Sequence, residues 1–532
     1  MKRLIIYRVL SLIMLLGLLS CEKYLEELPD NRAELNSNDK IKRILVSAYP
    51  ANSYLMATEI SSDNVDDVGP FYTDYSRFVE ELYKWNDSKD SNNDDVGRIW
   101  IGCYSAISSA NTALEAIEEA GDPLSLSAEK GEALVARAYS HWILVNIFAH
   151  NYAEKYSSTD LGITYMDTRE TTLNPKYTRH TVAEVYRLIF KDLEEGLPLI
   201  DDALYANSSV SKYHFNKEAA YTFASRVALF MENWPKVIEY ANIALGDNPN
   251  TTLRDYTTIA SFSATYANLI REYNASTIKA NFLISTSTSI SGRVFGGYSV
   301  SNRIAHAGAI SRMETVFARQ PYGQTTSTRG YRIRASTYAS TTINKVLLPR
   351  VGYMFATTDV IAGTGLRKAI YASITSEEAL LNRAEANIHL KNYAAALVDM
   401  NIHAQNNTLV NPSVMTLESV NNWANSFAYF EPINPTPKKH LNPEFIIEQG
   451  TQENMIHAIL SLRRIQFLFT GMRWFDVKRY GIEITRREAP ATVSNLNAGY
   501  TVTDNTLVVR DARRALQLPQ DVISAGLTPN PR

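Results

Sequence analysis

The chain has 532 residues, 45% hydrophobic and 20% charged; these are ordinary proportions, but the length exceeds one compact core, so two lobes or a scaffold with a large insertion are expected. A net charge of -3 gives no broad electrostatic reason to bind nucleic acid. Tyrosine is abundant, at 31 residues; its flat apolar face and polar tip suit wet surfaces that bind sugars or peptides, and suit packing between helices as well.

At the N-terminus, Lys2, Arg3 and Arg8 precede an apolar run over 9–19 and then Ser20-Cys21. That is a positive n-region with an apolar stretch too short for a membrane span, so 1–20 reads as a signal peptide. The small residue before the cysteine, with Leu18 two places earlier, resembles a bacterial lipoprotein box. The resemblance implies that Cys21 becomes the lipidated first residue; a plain secretory signal is the other reading. Glu22, Lys23, Glu26 and Glu27 resemble the surface-export signal of Bacteroidetes lipoproteins. Loss of the three leader cations takes the charge from -3 to -6. With Cys21 lipidated, Cys103 has no disulfide partner and reads as a buried core thiol beside Trp100, Ile101 and Tyr104.

Residues 39–56 read as a helix, and the segment that follows is acidic, polar and broken by Gly69-Pro70. It carries Phe71, Tyr72, Tyr75, Tyr83 and Trp85, rings that either stack on sugar faces or cap the core beneath the loop. The Asp and Asn clusters at 63–67 and 86–95 lack the glycine and terminal glutamate of a helix-loop-helix calcium site, so no metal site is expected and solvated loops are.

A helix is expected over 100–119, ended by Gly121-Asp122-Pro123, and another over 131–149. In the latter, Gly131-Glu132-Ala133, Arg137-Ala138-Tyr139 and Phe148 resemble the GEA-x4-RA-Tyr block of the SusD/RagB family of nutrient-binding Bacteroidetes lipoproteins. Trp100, Tyr104, Ile107 and Asn111 resemble that family's first long helix. Arg179 and 181–186, leading to Asp192-Leu193, resemble a further block, and Thr181 with Glu184 forms a capping box that starts a helix locally.

Residues 217–245 then place Ala220, Ala224, Val227 and Met231 on one helical stripe, break at Asn233-Trp234-Pro235, and place Val237, Ile238, Ala241, Ala244 and Leu245 on a second. Residues 376–404 repeat the plan, with Asn392-Tyr393 at the turn. Two such hairpins with small residues at the seam look like tetratricopeptide repeats, which bury their faces by stacking on one another. Between them, 247–375 is rich in Thr, Ser, Gly, Tyr and Asn and is expected to be loop-rich, with Phe295, Tyr298, Tyr322, Tyr331, Tyr338, Tyr353 and Phe355 scattered through it. Residues 405–449 form another loop-rich stretch, with Trp423, Phe427, Tyr429 and Phe430.

Over 462–481, Arg463-Arg464, Phe467, Phe469, Gly471, Arg473-Trp474-Phe475-Asp476 and Lys478-Arg479 resemble the family's ER-x2-EF-x2-EG-x-RW-x-DLKR signature. Arg463, Gln466 and Thr470 replace its acidic residues, so some ion pairs must differ. The group reads as structural, a helix capped by Gly471 followed by an arginine–aspartate clamp around Arg473, Trp474, Asp476 and Arg479. Near the C-terminus, Leu518-Pro519 resembles the family's closing segment.

The expected fold is mostly α, stacked tetratricopeptide-like helix pairs with a large loop-rich insertion. Residues 21–532 would form one SusD-like domain: a helical part over 22–246, the insertion over 247–375, and the second repeat with the signature region over 376–532. No zinc-binding histidine spacing, nucleophile elbow, P-loop or dinucleotide glycine pattern appears, so a binder without cofactor or catalytic residues is expected rather than an enzyme. The resemblance implies a glycan ligand, an outer-membrane lipid anchor and a TonB-dependent transporter as partner; a peptide-binding lid shares every scaffold feature. Phe71, Tyr72 and Trp85 are the first candidates for ligand contact, Trp423 and Tyr298 the second.

Overall fold

A computed structural model describes residues 38–69, 76–172, 175–254, 257, 261, 265–299, 301–323, 336–340, 343–408, 412–488 and 501–532. Cys21 and the leader, together with Phe71, Tyr72, Tyr75 and Tyr331, lie outside these residues. The first helix, α1 (Asn38–Leu45), is shorter than the sequence suggests: the chain leaves it before Pro50, and α2 (Leu55–Ser61) starts afresh. Proline cannot continue a helix, because it lacks the N–H and its ring crowds the preceding turn.

Three helices come next in the chain: α3 (Arg77–Tyr83), which packs on α2, and α4 (Val96–Glu119) and α5 (Ser127–Phe148), which pack on each other. Asp95 starts α4 by accepting from the Arg98 N–H, and Gly121 and Asp122, both at positive φ, turn the chain out of it. α5 is buried along almost its whole length, with helices against both sides. One neighbour is α4; the other is α6 (Val182–Gly196), whose Thr181–Glu184 capping box forms as expected.

The first repeat is α7 (Lys217–Phe230) followed by α8 (Trp234–Leu245), and the second is α10 (Ser376–His389) followed by α11 (Tyr393–Asn407), with α9 (Tyr266–Tyr273) between them in sequence. The two hairpins share their turn chemistry. Glu232 and Lys391 both sit at φ 61, and the next residues, Asn233 and Asn392, donate their N–H groups back to Ala228 and Asn387 at 2.9 and 2.8 Å. This is the 6→1 closure of a Schellman turn, here with left-handed non-glycine residues. α8 packs directly on α10 through Ala241, Ala244, Leu245, Ala379 and Leu380, so the stack continues straight across the insertion. At the far end of the seam, Trp234 stacks on His389 with centroids 4.0 Å apart.

α13 (Thr451–Gln466) closes the stack against α10, with α12 (Leu417–Asn425) packed on α13 and α11, and α14 (Met472–Arg479) follows. Gly471 does not cap the helix before it. α13 already ends at Gln466, and Gly471, at φ 75, begins α14. A Cβ there would lie 2.1 Å from Thr58 Oγ1, so glycine is required twice over.

The insertion holds more regular structure than its composition suggests. β2 (Asn281–Thr288), β6 (Val351–Asp359) and β7 (Thr364–Thr375) make an antiparallel sheet in the order β2-β7-β6, while β4 (Ser336–Ser340) and β5 (Ile343–Leu347) form a hairpin. A third sheet runs β3-β1-β8-β9, from β1 (Asp66–Asp67), β3 (Ile304–Ala305), β8 (Ile484–Glu488) and β9 (Thr501–Leu507). β7 runs without a linker into α10, which fixes the sheet to the second repeat.

Candidate ligand-binding surface

The β6–β7 hairpin is buried at its root and exposed beyond it: Val351 and Tyr371 are covered, while Met354, Phe355, Leu366, Val360 and Ile361 face out. Side chains two apart on a strand share a face, so Tyr353 and Phe355 point the same way. Across the ladder they oppose Ala369 and Arg367, and Arg367 is exposed. Phe355 lies over Gly365, where a Cβ would come within 2.9 Å of its ring edge.

Residues 291–299 cross the hairpin at its root, a crossing that glycine allows. A Cβ on Gly292 would lie 2.1 Å from the Gly352 carbonyl oxygen, so the two backbones touch. The approach sets Tyr298 against Tyr353, centroids 5.0 Å apart and planes inclined at 55°, with Tyr298 56% exposed. Tyr298, Tyr353, Phe355 and Arg367 thus form a strip of apolar faces with hydroxyl and guanidinium donors at its edges. Such a strip can hold a flat, hydroxylated ligand by stacking and hydrogen bonds. Among the described residues no group of three His, Cys, Asp or Glu is placed to hold a metal ion.

Two sequence candidates for ligand contact point inward. Trp85 is 3% exposed; its indole N–H donates to the Ser61 carbonyl at 2.9 Å, and the Arg486 guanidinium lies 4.1 Å from both the Trp85 and Tyr83 rings. With the ring covered by Arg486, no face is left for a sugar, and Trp85 caps the core. Replacing it with phenylalanine is expected to lower stability by about 1–2 kcal/mol, from one lost hydrogen bond and the space the smaller ring leaves, the Ser61 carbonyl keeping its bond from Arg486, with ligand affinity unchanged. Equal loss of affinity and stability on titration and urea unfolding would contradict this. Trp423 is likewise buried, donating to the Arg319 carbonyl at 2.8 Å and packed edge-on against Phe427. Of the insertion aromatics, Phe295 is stacked on Phe469 and Tyr322 is buried, so Tyr298, Tyr353 and Phe355 are the ones shown to reach the surface.

The acidic cluster at 63–67 is also inside rather than solvated, since each carboxylate has a cationic partner. Asp63 takes Arg473 at 2.7 and 2.8 Å, Asp66 takes Arg487 at 3.1 Å, and Asp67 takes Arg303 at 2.8 Å. Glu314 joins Lys439, Arg464 and Arg487 to this group. Burial pushes the Asp63 carboxyl up, but Arg464 and Arg473 outweigh it and hold the group well below its usual range. The 86–95 cluster is mostly exposed, with Asp94 and Asp95 turned inward.

The signature residues form the second half of this wiring. Trp474 is fully buried. Asp476 accepts from Arg463 at 3.1 Å and from Arg479 at 3.1 Å, and both cations also meet Glu385 of the second repeat. Arg473 reaches away from Asp476 to Asp63. Beyond the Arg479–Asp476 pair within α14, the clamp therefore ties α14 to α10 and to the 63–67 segment. Glu59 completes it, accepting the N–H groups of Phe469 and Gly471 at 2.9 and 3.1 Å and fixing the left-handed turn between α13 and α14.

Compared with known proteins, residues 23–229 match the model of starch-binding proteins associating with the outer membrane, and residues 254–520 match that of the SusD family. No curated protein matches the chain in sequence. In fold it is similar to a SusD superfamily protein from Bacteroides thetaiotaomicron VPI-5482, with 18% identity and a TM-score of 0.62, covering 93% of this chain and 99% of that one. A SusD superfamily protein from Bacteroides vulgatus ATCC 8482 gives 18% identity and 0.61, covering 92% and 97%. A SusD-like carbohydrate binding protein from the same strain gives 14% and 0.54, covering 92% and 96%. Helix repeats continued across an inserted sheet, a buried arginine–carboxylate signature and two family matches between residues 23 and 520 converge: this chain belongs to the SusD/RagB family.

Proposed function

We propose that this protein is a cell-surface glycan-binding lipoprotein, anchored in the outer membrane through Cys21, that captures poly- or oligosaccharide and hands it to a TonB-dependent transporter. The observation that carries the reading is the exposed Tyr298–Tyr353 pair continued by Phe355 and Arg367 on a hairpin rooted in the repeat scaffold. Aromatic faces would stack on sugar rings while Arg367 and the tyrosine hydroxyls bond the ring hydroxyls. The mechanism is capture without chemistry, and Phe71 and Tyr72 are proposed as further contacts. Several acyl chains on Cys21 would hold the protein at the membrane, where one chain binds only marginally. A Cys21→Ala protein still in the membrane fraction after a carbonate wash would contradict the anchor.

The test is calorimetric titration of residues 22–532 against a panel of polysaccharides and oligopeptides. Heat with one glycan class, weakened about tenfold by Tyr298→Ala, is the expected result, a loss of about 1.4 kcal/mol. No release of reducing sugar should accompany binding. Glycan heat unaltered in both Tyr298→Ala and Phe355→Ala would move the site elsewhere.

One observation favours a peptide instead. β6 is an edge strand, and among the described residues no strand pairs with its outer side, so an extended peptide could add to it by main-chain hydrogen bonds. Heat with oligopeptides alone would select that reading.

A further inference from the structure

We infer that a buried cavity at the root of the β6–β7 hairpin is a binding site for a small monovalent anion, of chloride size. The cavity is about 20 Å³, enough for one water-sized or chloride-sized occupant. It lies where three parts of the chain meet: Tyr371, Ser373 and Thr375 from β7, Gln466, Phe467 and Thr470 from the signature segment, and Arg350 from the residue before β6.

Arg350 is the reason for the assignment. It is 5% exposed, its Nε donates to the Gln466 carbonyl at 3.1 Å, and its guanidinium lies 4.8 Å from the Tyr273 ring centroid. Its Nη1 has no partner among the described residues, and neither does the buried Thr375 Oγ1 on the same cavity wall. No carboxylate among the described residues pairs with Arg350. Glu378, which lines the cavity, already has both oxygens taken by Arg226 at 2.5 and 2.7 Å, and Glu377, whose Oε1 meets Arg254 at 3.3 Å, forms no ion pair with Arg350. A buried guanidinium without a counter-charge is costly. A water would accept one N–H bond and leave the charge uncompensated. A monovalent anion would supply both the missing charge and an acceptor for Nη1, with the Thr375 hydroxyl on the same wall as a second donor. The site would brace the strand that carries Tyr353 and Phe355, with nothing required of the ligand itself.

The experiment is crystallisation of residues 22–532 with sodium bromide in place of chloride, read by bromine anomalous scattering. A peak within hydrogen-bond distance of Arg350 Nη1 is expected, and it should vanish in Arg350→Met. Should that variant fail to fold, Thr375→Val, which removes one donor and narrows the cavity, should abolish the peak. In solution, exchanging gluconate for chloride at fixed ionic strength is expected to raise Tm by about 2 °C, an increment the variants lose. Water-level density at Arg350 in crystals whose surface bromides scatter normally would overturn the assignment, as would a wild-type Tm indifferent to chloride. Neither result touches glycan binding, which the titrations above read separately.

Discussion

Replacing Glu385 with alanine is expected to lower the stability of the folded chain by about 3–5 kcal/mol, the cost of breaking a buried ion pair from one side. Glu385 sits on α10 with no exposure and meets the Tyr480 hydroxyl at 2.6 Å, the Arg479 guanidinium, and Arg463 Nε at 3.3 Å. Truncation would leave two buried guanidinium groups sharing Asp476 alone. Burial pushes the Glu385 carboxyl up, but Arg479 and Arg463 outweigh it and hold it at about 2. Glu385→Gln keeps the shape and one acceptor oxygen, so a smaller loss, about 2 kcal/mol, is expected. Urea unfolding measures both; a loss under about 1 kcal/mol in the alanine variant would mean that the clamp does not hold α14 to the repeat.

Acid should destabilise the protein steeply between about pH 4.5 and pH 2, where Glu385 and Glu314 take up protons. Burial raises the Glu314 carboxyl, yet Lys439, Arg487 and Arg464 together bring it down to about 2. A carboxyl depressed in the folded state contributes stability that is fully present above its unfolded value and is lost as pH falls through its folded value. For Glu314 that contribution is on the order of 3 kcal/mol, and for Glu385 it is similar. Two buried carboxyls act with the opposite sign. Burial is the main cause that raises Glu59 to about 7 and Asp94 to about 6, so each costs stability as pH climbs from the unfolded value through the folded one. Burial also holds His306, His389 and His403 down to about 4, so each adds stability as pH climbs from there to the usual histidine value, and together they offset the slope of these two carboxyls. Melting temperature measured from pH 2 to 8 checks the shape, and Glu314→Gln should lower stability at pH 7 while flattening the acid limb. A Tm that stays level from pH 5 down to pH 2 would contradict the pairing of Glu314 with its three cations.

The helical half of the molecule was legible because helix formation is a local matter. The stripes in 217–245 and 376–404, the Thr181–Glu184 capping box and the Gly121-Asp122-Pro123 stop all depend on residues within a few positions of one another. The repeated Asn-aromatic turn showed the second hairpin to be a copy of the first, and the left-handed Glu232 and Lys391 show why the turns match. The sheet in the insertion was missed because polar Thr and Ser strands lack clean alternation, although Tyr353 and Phe355 two apart, across the Gly363 turn from Arg367, were a signal of a hairpin.

Amino-acid order alone determined the helices, their caps and the repeat plan, together with the family resemblance carried by 131–139 and 462–481. Only the tertiary structure decided which charges and rings are inside. Asp63 and Arg473 are 410 positions apart, Arg486 closes over Trp85 from across the chain, and Tyr298 meets Tyr353 because two glycine backbones touch. Local sequence carries propensity and periodicity. Whether an aspartate is solvated or a tryptophan exposed depends on a partner that folding brings from hundreds of residues away, and its charge or ring offsets the cost of burial.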